Sequence, residues 1–257
     1  MDWTTRGLAL RIGGHRGAAH EAPENTFAGF ALAAEAGADY VELDVQLAAD
    51  GVALVFHDED LDRTTEARGP FAAHESAELL GLDAGAWFDP RFGGERIPTL
   101  SGFLGWLGVR PRLGATIEAK GPGSGAPIAR AIAASRSRDD CSICSFSAYE
   151  LRSAAAAVPS IPRILIVDRD EPDADLVALA RGAAAGVVNV PLGWLTGEIV
   201  AALHAAGLLV AGGTVDDAAG IGACLKLGID FVDTNRPSLA VPARDRHRDA
   251  ITDWLRR

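Results

Sequence analysis

Residues 40 to 58 read YVELDVQLAADGVALVFHD, and the placing of their polar positions decides which fold this chain adopts. Glu42 and Asp44 stand two apart in an otherwise apolar run, a spacing that a strand turns to one face. Two carboxylates side by side repel unless positive charge lies between them. A hard divalent cation suits them, because it favours carboxylate oxygens and leaves positions open for water or a phosphate oxygen. Asp50-Gly51 is then a turn signal, followed by a second apolar run that ends at His57. Only six residues separate Val45 from Val52. A parallel crossover needs about a dozen or more, so the second run doubles back and returns His57 towards Glu42.

Working outward, Leu8 to Gly14 is an apolar run closing on Gly-Gly, with His15-Arg16-Gly17 presented on the turn beyond it. Phe27, Phe30, Ala31 and Ala34 recur at helical spacing and Gly37 marks the end of that helix. Strand two, Tyr40 to Leu47, follows at once. Residues 59 to 100 break the rhythm with a polar run, a short helical patch near Glu75 to Leu80 and the stretch DAGAWFDPRFGGERIPTL, and read as an inserted surface subdomain. Strands are then expected at Gly114 to Ala119, Ser142 to Phe146, Arg163 to Asp168, Gly186 to Val190, Leu208 to Thr214 and Asp230 to Asp233. Helices fall between them at Pro127 to Ser135, Tyr149 to Val158, Asp173 to Ala185, Gly197 to Ala206 and Asp217 to Leu227. Eight alternations in 257 residues predict a single (β/α)8 TIM barrel domain spanning 1–257, with 59–100 inserted after strand two.

Composition narrows the partners. The net charge of -11, from 35 acidic and 24 basic residues, argues against nucleic acid or an anionic membrane surface. No run of about 18 apolar residues occurs, so no integral membrane segment is expected, and the N-terminus lacks the apolar core of a secretion signal. The chain reads as a cytoplasmic protein acting on a small molecule, with its oligomeric state left open. Cys141 and Cys144, three apart in a strand, point to opposite faces and read as reduced core residues.

Active sites of such barrels lie at the C-terminal ends of the strands. There His15 and Arg16 end strand one, Glu42 and Asp44 lie late in strand two, and Glu118 and Lys120 end the following strand. Three acidic oxygens make a seat for magnesium or calcium, while Arg16 and Lys120 offer donors to phosphate oxygens. His15 and His57 beside a bound phosphodiester would divide general base and general acid roles. The absence of a Walker loop, a GxSxG elbow and an HExxH helix leaves nucleotide hydrolysis, serine esterase and zincin chemistry without support.

The blocks HRGAAHEAPENT, VELDVQLAADGVALVFHD, LDRTT, IPTL, IEAK and Ser145-Phe146 resemble the glycerophosphodiester phosphodiesterase family in order and spacing, from about Ile12 to Pro237. The resemblance implies metal-dependent hydrolysis of glycerophosphodiesters to sn-glycerol 3-phosphate and an alcohol. It implies His15 and His57 as the catalytic pair, Glu42, Asp44 and Glu118 as metal ligands, and Arg16 and Lys120 as phosphate contacts. Glu24 and Asn25 match the PENT block as supporting residues, although Asn25 is also of the type that caps a helix ahead of Phe27. Two departures stand out. Gly213-Thr214-Val215-Asp216 replaces the family's usual WTVN, and Asn235 replaces the Asp of its usual TDRP. Either Trp87, Trp106 or Trp194 fills the space, or the pocket is wider. The alternatives are a lysophospholipase D-like phosphodiesterase for bulkier substrates, and a catalytically silent barrel that binds phosphorylated small molecules.

Overall fold

The computed structural model describes residues 1–6, 10–168 and 175–255 of the chain, with 248–255 as backbone only. Eight parallel strands close on themselves: β1 (Arg11–Gly14), β2 (Tyr40–Leu47), β4 (Gly114–Ala119), β5 (Cys141–Ser145), β6 (Arg163–Ile166), β7 (Val187–Val190), β8 (Leu209–Gly213) and β9 (Phe231–Thr234). Closure is made by β1, which pairs with β9 on one side and β2 on the other. The expected TIM barrel is therefore present. The doubling back is also present, as β3 (Ala53–Val55), which lies antiparallel to β2 with Val45 opposite Val55.

Period-two alternation sorts the strand residues. Val41, Leu43, Val45, Ala115 and Ile117 face outward into the main core beneath the helices, while Tyr40 faces the barrel interior with Cys144, Ile164, Leu209 and Phe231. Glu42, Asp44, Thr116 and Glu118 share Tyr40's parity and so point inward. Trp3 closes the lower end of the barrel, stacked on Phe231 at 5.3 Å and edge-on to Tyr40 at 5.1 Å. All three cysteines are buried and free, as expected of core residues.

Helices α1 (Phe27–Glu35), α3 (Leu100–Leu107), α5 (Ala148–Ala157), α6 (Leu176–Gly182), α7 (Gly197–Ala205) and α8 (Ala218–Leu227) each begin at a Thr, Ser or Asp whose side chain accepts an N–H of the first turn. The cap of α1 is Thr26, which leaves Asn25 for another task. Helix α4 (Gly125–Ala134) starts two residues ahead of the expected Pro127, and α6 stops short of Ala185. The expected first residues of strand one, Leu8 and Ala9, and of the sixth helix, Asp173 and Ala174, lie outside the described residues.

Two helices were not expected. Helix α3 hides in LSGFLGWL, where two glycines mask the periodicity, and α9 (Pro237–Leu255) carries a charged sequence with Pro242 inside it. The inserted segment, which includes α2 (Ser76–Leu79), is more than a surface loop. Leu61, Phe71, Leu79, Ala84 and Ile97 join Leu54 and Phe56 in a separate apolar cluster, with Phe56 and Phe71 stacked at 5.1 Å.

Gly17 sits where β1 turns towards the site, at φ +88°, and a Cβ there would lie 2.6 Å from the Gly29 carbonyl carbon. Gly105, inside α3, has no atom within 4 Å of its would-be Cβ. Gly17→Ala should therefore lower unfolding free energy by at least about 2 kcal/mol, whereas Gly105→Ala should raise it by about 0.5–1 kcal/mol. Urea unfolding of both variants checks this, and a harmless Gly17→Ala would contradict the packing described.

Candidate active site

Glu42 and Asp44 come from β2, and Glu118 from β4, where it is the register partner of Asp44. One oxygen from each carboxylate lies within 4.8 Å of the others, and all three residues are buried. Such a group is expensive unless something positive joins it. Burial and the charges of Asp44, Asp233 and Glu118 push Glu42 well above the usual carboxylate range, and burial and Asp44 push Glu118 up to about 7. Asp44 moves the other way: despite burial, Arg16, Lys120 and His57 hold it low, and so does the amide of Asn25. The trio's hard oxygen donors, crowded and short of compensating charge, fit a hard divalent cation.

The cations present are placed around that seat. Arg16 Nη1 donates to Glu24 Oε1 at 2.9 Å, and Arg16 Nε lies 3.2 Å from Asp44 Oδ2, an ion pair too far off-line to count as a hydrogen bond. Arg16, at φ +53°, donates its backbone N–H to Glu42 Oε2 at 2.9 Å. Lys120 Nζ stands 3.5 Å from Asp44 and 3.4 Å from Glu118. Asn25, at φ +58°, donates its amide to Asp44 Oδ2 at 2.8 Å and accepts the Asp44 N–H at 3.2 Å.

Both histidines are held through Nδ1. His57 Nδ1 is 2.5 Å from Asp58 Oδ1, and Asp58 is held at about 2 by bonds from Arg63 and His57 that outweigh its burial. An ionised carboxylate only accepts, so His57 Nδ1 carries the hydrogen and Nε2 is left for chemistry. Burial lowers the His57 pKa, with Asp44 and Asp58 opposing and Arg16 and Lys120 assisting. His15 Nδ1 lies 2.8 Å from Asn235 Oδ1, and the Asn235 amide nitrogen is turned to Asp216 Oδ2 at 2.7 Å. That bond fixes the amide's orientation, so here too Nδ1 donates and Nε2 is left for chemistry.

The structure thus brings His15, Arg16, Glu24, Asn25, Glu42, Asp44, His57, Glu118 and Lys120 to one rim. Sequence reading missed what holds them. Arg63 binds Glu24 through two nitrogens at 2.8 and 2.7 Å and Asp58 through two at 2.6 and 2.9 Å, joining the two sides of the site. The Gln46 amide faces the carbonyls of Phe56, His57 and Asp58 at 3.1, 3.1 and 2.7 Å, pinning the returning chain. The Tyr40 hydroxyl donates to Asp233 Oδ1 at 2.8 Å deeper in the barrel. Spacing could have flagged Tyr40 and Asp233 as inward-facing, but nothing in the sequence pairs Arg63 with both Glu24 and Asp58.

Of these, His15, Arg16, Tyr40, Glu42, His57, Glu118, Lys120 and Asp233 line a cavity of about 670 Å³ that runs from the rim into the barrel. None of Trp87, Trp106 and Trp194 lines it. Trp106 packs on Phe27, Phe30 and Phe103, Trp194 on the main core, and Trp87 against Phe88 and Arg63. The space left by Gly213 is therefore not refilled by any of these three tryptophans.

A closed parallel barrel with its functional groups at the C-terminal mouth defines a TIM-barrel enzyme. The match to the Glycerophosphoryl diester phosphodiesterase family covers residues 15–239, and the chain belongs to that family. It is 32% identical over 244 residues to the glycerophosphodiester phosphodiesterase of Bacillus altitudinis, spanning 91% of this chain and 98% of that one. Among solved structures, the glycerophosphodiester phosphodiesterase of Agrobacterium tumefaciens superposes with a TM-score of 0.80 at 35% identity, over 90% of this chain and 98% of that one. A phosphodiesterase of Oleispira antarctica, solved with its product sn-glycerol-3-phosphate, superposes with a TM-score of 0.82 at 28% identity, over 93% and 98%.

The raised Glu118 has a measurable consequence. In the metal-free protein its folded-state pKa of about 7 lies above its ordinary 4.5, so its contribution to stability is present at low pH and lost as pH rises through 7. Glu118→Gln removes that loss. In excess chelator the variant should be more stable than the parent at pH 8, by on the order of 3 kcal/mol, and the gain should shrink to under about a third of that at pH 5. An equal effect at both pH values would contradict the repulsion.

Proposed function

We propose that the protein hydrolyses glycerophosphodiesters to sn-glycerol 3-phosphate and an alcohol, with a magnesium or calcium ion held by Glu42, Asp44 and Glu118. The observation that carries this reading is the carboxylate trio within 4.8 Å, flanked by two histidines that each keep Nε2 for proton transfer. When bound, the ion would supply Lewis-acid charge to offset negative charge developing on the phosphoryl oxygens. Arg16 and Lys120 line the same cavity and supply the remaining positive charge for the diester. Glu24 and Asn25 support them, Glu24 by holding Arg16 and Arg63, and Asn25 by holding Asp44.

The histidines divide the proton work. His57, kept neutral by its lowered pKa and oriented by Asp58, takes the proton of the attacking oxygen at Nε2. As the phosphorus–oxygen bond to the alcohol breaks, His15 returns a proton from Nε2 to the leaving oxygen. His15 suits this role because it lines the same cavity beside the Asp233 carboxylate, with Nδ1 held by Asn235 and Nε2 left for the leaving oxygen. A binding-only barrel needs neither Nε2, and the carboxylate of Asp233 in the lining argues against a long alkyl arm beside it. A cytoplasmic location fits a small polar diester, and no helix among the described residues is long and apolar enough to cross a membrane.

The test compares His15→Ala and His57→Ala on a glycerophosphodiester and on a p-nitrophenyl phosphodiester, whose leaving group needs no acid. Both variants should lose roughly 10²-fold or more on the first substrate, and only His15→Ala should recover substantially on the second. Either variant within about threefold of the parent on the glycerophosphodiester would overturn the paired-histidine reading.

A further inference from the structure

The cavity has a charge polarity for which the carboxylate trio does not account. Its basic lining residues, His15, Arg16, His57 and Lys120, all belong to the side built from β1, β2, β3 and β4. Beside them, on β9 where it pairs with β1, the lining carries the carboxylate Asp233 next to His15. A phosphodiester brings its negative charge to the basic residues. Whatever group of the diester reaches Asp233 meets a carboxylate instead.

Asp233 is built into its position. Tyr40 donates to Oδ1 at 2.8 Å, while Oδ2 has the Asn189 amide nitrogen at 3.5 Å, too long for a strong bond. A Cβ on Gly13 would fall 2.2 Å from the Tyr40 ring and 2.8 Å from Asp233 Oδ1, so β1 omits a side chain where this pair sits. Gly213 is the register partner of Asp233 on β8, and a Cβ there would meet the Asp233 backbone and Cβ at 3.1 to 3.3 Å. A larger residue at that position would crowd the approach to the carboxylate. Burial penalises the charge on Asp233, and nearby His15 offsets only part of that penalty. A ligand hydroxyl could hydrogen-bond to Oδ2, but only a positive charge would also offset the charge of this partly enclosed carboxylate.

Resting on the phosphodiesterase reading, we propose that Asp233 forms an ammonium-binding subsite for the alcohol arm, so that the protein favours zwitterionic diesters bearing a primary amine. Asn189 turns its N–H towards Asp233 and so keeps its carbonyl oxygen as a second acceptor for an N–H donor. A quaternary ammonium needs open aromatic faces instead. Beside Asp233 the Phe231 ring is covered by Trp3, stacked at 5.3 Å, and by Arg11 at 4.8 Å, while the exposed ring in the lining, Phe146, follows β5 and not β9.

The experiment measures kcat/KM for glycerophosphoethanolamine and for its neutral counterpart glycerophosphopropanol, in the parent and in Asp233→Asn, with magnesium or calcium present. The parent should favour the charged arm by about tenfold, as expected for one charge-assisted hydrogen bond, and Asp233→Asn should bring the ratio close to one. A parent ratio near one, or the same ratio in parent and variant, overturns the subsite. Calorimetric binding of both diesters to the parent in excess chelator reads the subsite without turnover, and also serves if Asp233→Asn does not fold. Equal affinities for the two diesters would overturn the subsite while leaving hydrolysis standing. Charge-dependent binding with no cleavage of either diester would overturn the phosphodiesterase reading and support the subsite.

Discussion

Three carboxylates that repel one another in the mouth of a barrel are the constraint around which the rest of this structure is arranged. Their crowding follows from register: Glu42 and Asp44 share a face of β2, and Asp44 stands opposite Glu118 on β4. Neither residue can turn away without reversing the whole strand, because Val41, Leu43 and Val45 are committed to the outer core. The repulsion is distributed unequally. Asp44 stays ionised beside Arg16 and Lys120, while Glu42 and Glu118 are driven towards their protonated forms. A divalent ion would reverse that balance and charge all three.

Around the trio, the site is held by polar links that cross between distant parts of the chain. Arg63, in the inserted segment, ties Asp58 to Glu24, and thereby ties the orientation of His57 to the loop that positions Arg16. On the opposite side Asp216 and Asn235 hold His15. The residue types at 213 and 235 that depart from the family's usual pattern therefore have different consequences. Asn235 remains a working acceptor for His15, whereas Gly213 opens the wall over Asp233.

Much of this was legible in the sequence because it depends on period two. The barrel, the doubling back at β3 and the convergence of His15, Glu42, Asp44, His57 and Glu118 on one rim all follow from alternation and loop length. What was not legible depends on contacts between residues far apart in the chain. Arg63 lies 39 positions from Glu24, and Tyr40 lies 193 from Asp233, separations at which spacing carries no signal. Helix α3 was hidden for a local reason, since Gly102 and Gly105 dilute its apolar stripe, and its start rests on the Thr99 cap. Whether a tryptophan or open space stands beside Gly213 was left open by the sequence because exposure, packing and cavity lining cannot be told apart from residue type alone.

The most direct measurement is the thermal unfolding midpoint as calcium or magnesium is added to chelator-stripped protein, for the parent and for the Glu42→Gln, Glu118→Gln double variant. If the trio is a cation seat, the parent's midpoint should climb and saturate, gaining about 5–10 °C at a hundredfold excess over the dissociation constant, while the double variant should not respond. A parent whose midpoint is unmoved by either ion, or a double variant that climbs just as far, would contradict the account.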